Sequence, residues 1–104
     1  MTTSALEELE EKYSEIVEMM PDIFDSHKFI LALAENHQRL YVQALSEYAE
    51  HDQPFMSVHS QIGKRLKKRI DLVKHIDNVP SKNIFGYDSE AAVWKKVKKQ
   101  IPMP

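Results

Sequence analysis

The chain contains no cysteine. That absence excludes a disulfide framework, a zinc–cysteine centre, an iron–sulfur cluster and a cysteine nucleophile. Its two glycines, Gly63 and Gly86, are too few and too far apart for the GxGxxG or GxxxxGK[ST] loops that cradle phosphates. No apolar run approaches the roughly 18 residues that a membrane-crossing helix needs. The opening Met1-Thr2-Thr3-Ser4-Ala5-Leu6 has neither a basic stretch nor an apolar h-region, so the chain reads as cytoplasmic, with no membrane partner.

What is present fits one compact unit. The chain has 104 residues, 42% of them hydrophobic and 29% charged, close to globular averages and too short for two independent cores. A single domain over residues 1–104 is therefore expected. Residues 1–20 form an amphipathic N-terminal helix, 25–75 a helical core, and 77–104 a loop followed by a basic C-terminal element.

Charge divides the chain in two. Residues 1–53 carry three bases (Lys12, Lys28, Arg39) against twelve acids, a formal −9. Residues 54–104 carry eleven bases against four acids (Asp71, Asp77, Asp88, Glu90), a formal +7. A basic half of this kind attracts phosphate or an acidic protein even though the net charge is only −2. Mutual neutralisation of the two halves is the other reading.

Ser4 and Glu7 form a capping box that starts a helix. Leu6, Leu9, Tyr13, Ile16 and Met20 then recur at steps of three and four until Pro21. This stripe either packs on the domain's own core or zips against a second copy as a short coiled coil, which makes a homodimer a partner to consider. Asp25 and Ser26 offer caps for a second helix carrying Phe29, Ile30, Leu33 and Ala34. From Gln38 the pattern resumes with Leu40, Tyr41, Ala44, Leu45 and Tyr48, as two short helices or one kinked one, until Glu50–Pro54 breaks it.

The next helix, Phe55–Arg69, carries most of the functional signal. Pro54 suits its first turn. At 100° per residue Phe55, Val58, Ile62, Leu66, Ile70 and Val73 share one sector, while Ser57, Ser60, Gln61, Lys64, Lys67 and Lys68 fall opposite. Arg65 and Arg69 lie on the flanks. Polar residues in the first turns reach base edges and later cations reach phosphates in a helix set against nucleic acid. An ordinary amphipathic helix whose lysines complement the macrodipole is the plain alternative.

Asp77–Asn83 has turn chemistry throughout. Ser89–Lys99, with its cap, early acid, alanines and terminal lysines, is predicted helical, with Trp94, Val97 and Ile101 inward and Lys95, Lys98 and Lys99 outward. The competing reading pairs Ile84–Tyr87 with Ala92–Val97 as a small β-hairpin.

Residues 25–70 resemble the three-helix core of helix-turn-helix domains, with Gln38–Glu50 crossing the backbone and Phe55–Arg69 reading. The turn at Glu50–Pro54 is longer than in the tight forms and lacks their glycine, which favours either the winged-helix variant, whose wing the hairpin would supply, or no DNA role at all. Asp25-Ser26-His27, Pro54-Phe55 with Val58-His59, Ser81–Gly86 and Trp94-Lys95-Lys96 are also similar to small bacterial proteins that carry no assigned activity. The fold expected is thus mainly α, a helical bundle with a helix-turn-helix-like core.

Enzyme chemistry finds little footing. No two of the five histidines lie three or four residues apart, so no helix offers an HxxxH metal pair. Glu47 and His51 make an i, i+4 carboxylate–imidazole pair at a helix end, and no GxSxG elbow occurs. The expectation is a non-enzymatic protein, with no metal or cofactor, that binds duplex DNA. Its contacts would be Ser57, Ser60, Gln61, Lys64, Arg65, Lys67, Lys68, Arg69, Lys95, Lys98 and Lys99. An assembly module that uses Leu6–Met20 and takes an acidic protein partner is the alternative.

Overall fold

The structure is a computed structural model, and it describes residues 4–97. The Ser4 hydroxyl accepts the Glu7 amide at 3.2 Å and starts α1 (Ala5–Glu10). The expected single N-terminal helix is interrupted at Glu11–Lys12, and α2 (Tyr13–Met19) continues the stripe. Leu6, Leu9, Tyr13 and Ile16 are buried in the chain's own core and Met20 packs against it. The stripe is therefore an internal surface in this fold, not an exposed seam.

A short strand, β1 (Ile23–Asp25), precedes α3 (Ser26–Asn36), whose N-cap Asp25 accepts the Lys28 amide at 2.9 Å. His37 separates α3 from α4 (Gln38–Glu47), so the central segment is two helices. After the Pro54 start, α5 (Pro54–Lys67) buries Val58, Ile62 and Leu66 completely. The apolar sector does not continue as predicted: Ile70 lies beyond the helix and is 81% exposed, while Val73 enters a strand.

The expectation of a mainly helical bundle is overturned by the C-terminal third. A long hairpin, β2 (Val73–Lys82) and β3 (Asp88–Lys96), pairs antiparallel and adds β1 on the far side of β3. The result is an α+β fold with a three-stranded sheet in the order β1-β3-β2. Ser89–Lys96, predicted helical, is strand because pairing on both sides outweighs local helix propensity. Trp94 anchors it: the indole is buried, faces Phe24 and His75 across the ladder, and donates to the Ser26 hydroxyl at 2.8 Å. Ile84–Tyr87 belongs to the connecting turn instead of pairing with Ala92–Val97. There Asn83 Oδ1 accepts the Phe85 and Tyr87 amides, and Gly86 takes φ +86°, a conformation other L residues rarely adopt. β2 lies at the sheet edge, where Pro80 removes no ladder donor that a neighbour needs.

Besides the Trp94–Ser26 bond, two further ties hold the sheet to the helices. Lys96 Nζ donates to the Glu18 and Met20 carbonyls at 3.1 and 2.8 Å, satisfying the C-terminal end of α2. On α3 the His27 ring meets Ser81 Oγ at 3.0 Å, and Ser81 donates to Asp25 Oδ2 at 3.3 Å. No helix among the described residues is long and apolar enough to cross a membrane.

Candidate nucleic-acid interface

The candidate face is built on α5, whose buried ridge fixes which side chains turn outward. Ser60, Lys64, Lys67 and Lys68 are exposed, while Ser57 and Gln61 are half-buried. Ser57 Oγ lies 3.4 Å from His51 Nδ1, so that hydroxyl is already engaged with the turn preceding α5. Lys64, Lys67 and Lys68 form no ion pair with any described residue.

The two arginines behave differently. Arg65 Nη1 meets Glu10 Oε1 at 3.2 Å on the side where α5 packs against α1. Arg69 forms a two-point pair with Asp71, 3.0 and 2.9 Å, and lies 3.9 Å from Glu10. The Asp71 hydrogen bond raises the Arg69 pKa further and lowers that of Asp71. Both guanidinium groups are thus spent inside the fold, where part of the acidic half neutralises part of the basic half.

On the sheet, Lys95 is exposed and directly opposite Lys74 in the β2–β3 ladder. Sequence reasoning missed Lys74 because it stood beyond the helical sector with no pairing partner in view. Lys98 and Lys99 lie outside the described residues. In the basic half, Lys64 and Lys67 on α5, Lys68 just past its end, and Lys74 and Lys95 on the sheet thus have no acidic partner among the described residues; Lys12, Lys28 and Arg39 of the acidic half have none either.

Between α5 and the hairpin runs a cleft whose upper part is a cavity of about 240 Å³. It lies among Ser60, Gly63 and Lys64 of α5, Ser26 and His27 at the start of α3, and Ala92 of β3. Its lower continuation shares Gly63 and Lys64 and reaches Lys67, His75 and Trp94. At the hairpin end Phe85 packs edge-on to Phe55, ring centroids 4.9 Å apart, and stacks with His59.

His59 itself is half-buried, and its Nε2 sits 2.7 Å from the Tyr41 hydroxyl. Burial, with a smaller push from His27, lowers its pKa to about 4. The neutral ring shares this hydrogen bond with the Tyr41 hydroxyl, the donor being set by the His59 tautomer, and burial raises the Tyr41 pKa. His59 is therefore a neutral packing element at ordinary pH. Glu47, read from sequence as a partner for His51, instead accepts the Ala5 amide at 3.1 Å and supplies a long-range cap for α1. Among the described residues no three His, Asp or Glu side chains cluster in a way that would hold a metal ion.

No family model, curated protein or solved structure matches this chain.

Proposed function

We propose that the chain binds duplex DNA through the exposed face of α5, in the manner of a winged helix. The observation that carries this reading is the contrast along α5, which ends at Lys67, and the two residues after it: Arg65 and Arg69 are neutralised, yet Lys64, Lys67 and Lys68 face solvent with no acidic partner among the described residues. Three unpaired cations along one helical face repel one another, and a phosphate backbone relieves that repulsion.

The layout supports the same reading. Helices, a short strand, further helices and a terminal hairpin, with sheet order β1-β3-β2, are the arrangement of winged-helix domains. A 14-residue helix spans about 21 Å at ~1.5 Å per residue and fits the major groove. Ser60 and Gln61 lie nearest the bases, Lys64, Lys67 and Lys68 contact phosphates, and Lys74 and Lys95 extend the charge along the wing. Arg65 and Arg69 serve the fold.

Fluorescence anisotropy of a labelled mixed-sequence duplex, titrated at low and at physiological salt, tests this. Binding should weaken steeply with salt. Reversing Lys64 and Lys68 to Glu together should lower the log–log salt slope by about 2, roughly one per lost phosphate contact. No binding at low salt, or an unchanged slope in the variant, sinks the proposal.

A further inference from the structure

Gly63 stands in the middle of α5, where glycine costs a helix roughly 0.5–1 kcal/mol relative to alanine. Neither backbone conformation nor crowding requires it. Its φ is not positive, and a Cβ built there would meet nothing within 4 Å. What a side chain would meet is open space, because Gly63 lines both parts of the cleft between α5 and the hairpin. The missing side chain keeps the cleft open at its waist.

The upper cavity has a definite chemistry. Its walls are apolar at Ile30, Met56 and Ala91. At its mouth stand two charges of opposite sign on opposite walls, Lys64 on α5 and Glu90 on β3. Both are exposed, they do not pair with each other, and neither pairs with any other described residue. The Ser60 hydroxyl, on the same helix as Lys64, adds a donor. At about 240 Å³ the space is below the roughly 300–1,000 Å³ of pockets for drug-sized ligands.

We propose that this cavity binds a small zwitterion, an amino acid with an apolar side chain, held by its carboxylate at Lys64 and Ser60 and by its ammonium at Glu90. A simple anion would meet repulsion from Glu90 and a simple cation repulsion from Lys64. A ligand bearing both charges satisfies both lips, while its side chain covers the apolar wall beside Gly63. The site shares Ser60 and Lys64 with the proposed DNA face, but its test uses no nucleic acid, so either proposal can fail without the other.

The test is an amide-resolved NMR titration of the full chain with L-leucine, 4-methylpentanoate (the same skeleton without the amine) and 3-methylbutylamine (the same skeleton without the carboxylate). Leucine should shift the Ser60, Gly63, Lys64, Ala91 and Ala92 amides saturably. Each analogue should bind about tenfold more weakly or worse, as expected for loss of one charge-assisted contact at an exposed lip. Lys64→Met should bring leucine and the amine to equal affinity, and Glu90→Gln should do the same for leucine and the acid. Gly63→Leu should abolish binding. Ala92→Leu, which fills the cavity from the sheet side, provides the same readout if Gly63→Leu does not fold. Absence of saturable leucine shifts, or equal binding of leucine and both analogues to the unaltered chain, overturns the proposal.

Discussion

The Tyr13 hydroxyl donates to the Ile62 carbonyl at 3.0 Å, joining α2 to the middle of α5 across 49 residues of sequence. The phenol is fully buried, and desolvation together with the nearby Glu10 raises its pKa. Its ring also meets Phe29 edge-on at 5.0 Å, so one side chain pins three helices.

Tyr13→Phe keeps that ring and removes only the hydrogen bond. The variant should lose about 1 kcal/mol of stability, the usual net worth of such a bond. Urea denaturation checks this, and an unchanged midpoint would mean that the bond contributes nothing.

Gly63→Ala should stabilise the fold by roughly 0.5–1 kcal/mol, because the helix gains a better former and the added methyl meets open space. Thermal melts read the gain. A loss of stability would show that the cleft is tighter than its geometry indicates.

His59 makes stability pH-dependent. Its folded pKa of about 4 lies below the ordinary 6.5, so the unfolded chain binds the extra proton first. The contribution is fully present above pH 6.5, is lost as pH falls from there toward 4, and does not change further below 4. The slope from this one group cannot exceed about 1.4 kcal/mol per pH unit, and its partial exposure makes it smaller. Comparing denaturation midpoints between pH 7 and 4 for the unaltered chain and His59→Gln should give a shallower dependence in the variant.

Lys74 and Lys95 oppose each other in the ladder, an arrangement that costs a few tenths of a kcal/mol. Lys95→Thr should therefore raise the melting temperature slightly while weakening duplex binding and lowering its salt slope by about 1. If the melt rises and the slope is unchanged, Lys95 lies outside the contact surface.

Arg65→Gln separates fold from interface. The guanidinium is partly buried against Glu10, so the substitution should reduce stability but leave the salt slope of duplex binding as it was. A slope reduced by about 1 would return Arg65 to the contact surface.

Local signals carried much of the helical half. Ser4, Asp25 and Pro54 sit at helix starts because a cap or a missing amide acts within three residues of itself. The four-residue spacing of Val58, Ile62 and Leu66 likewise placed them in the core, since a helix brings such positions to one face whatever surrounds it. The turn residues of Asp77–Asn83 misled instead: up to Lys82 they pair as strand β2, and the turn falls at Asn83–Tyr87, in the run read as apolar.

The sheet and the surface charge are decided by contacts between residues far apart in the chain. Ser89–Lys96 has the composition of a helix, and only β1 and β2 on either side, with Trp94 held by Ser26 across 68 residues, make it a strand. The lysines and arginines of α5 look alike in sequence. Arg65 is withdrawn from the surface because folding brings Glu10, 55 residues upstream, against that side of the helix, whereas Arg69 is held chiefly by Asp71, two residues on. The sequence alone determined the helix starts at Ser4, Asp25 and Pro54 and the buried ridge of Val58, Ile62 and Leu66, because those forces act over one or two turns, but not that Phe55 and Ile70 would be exposed. The tertiary structure decided strand pairing and which cations remain free, because both depend on partners that only the completed fold brings within reach.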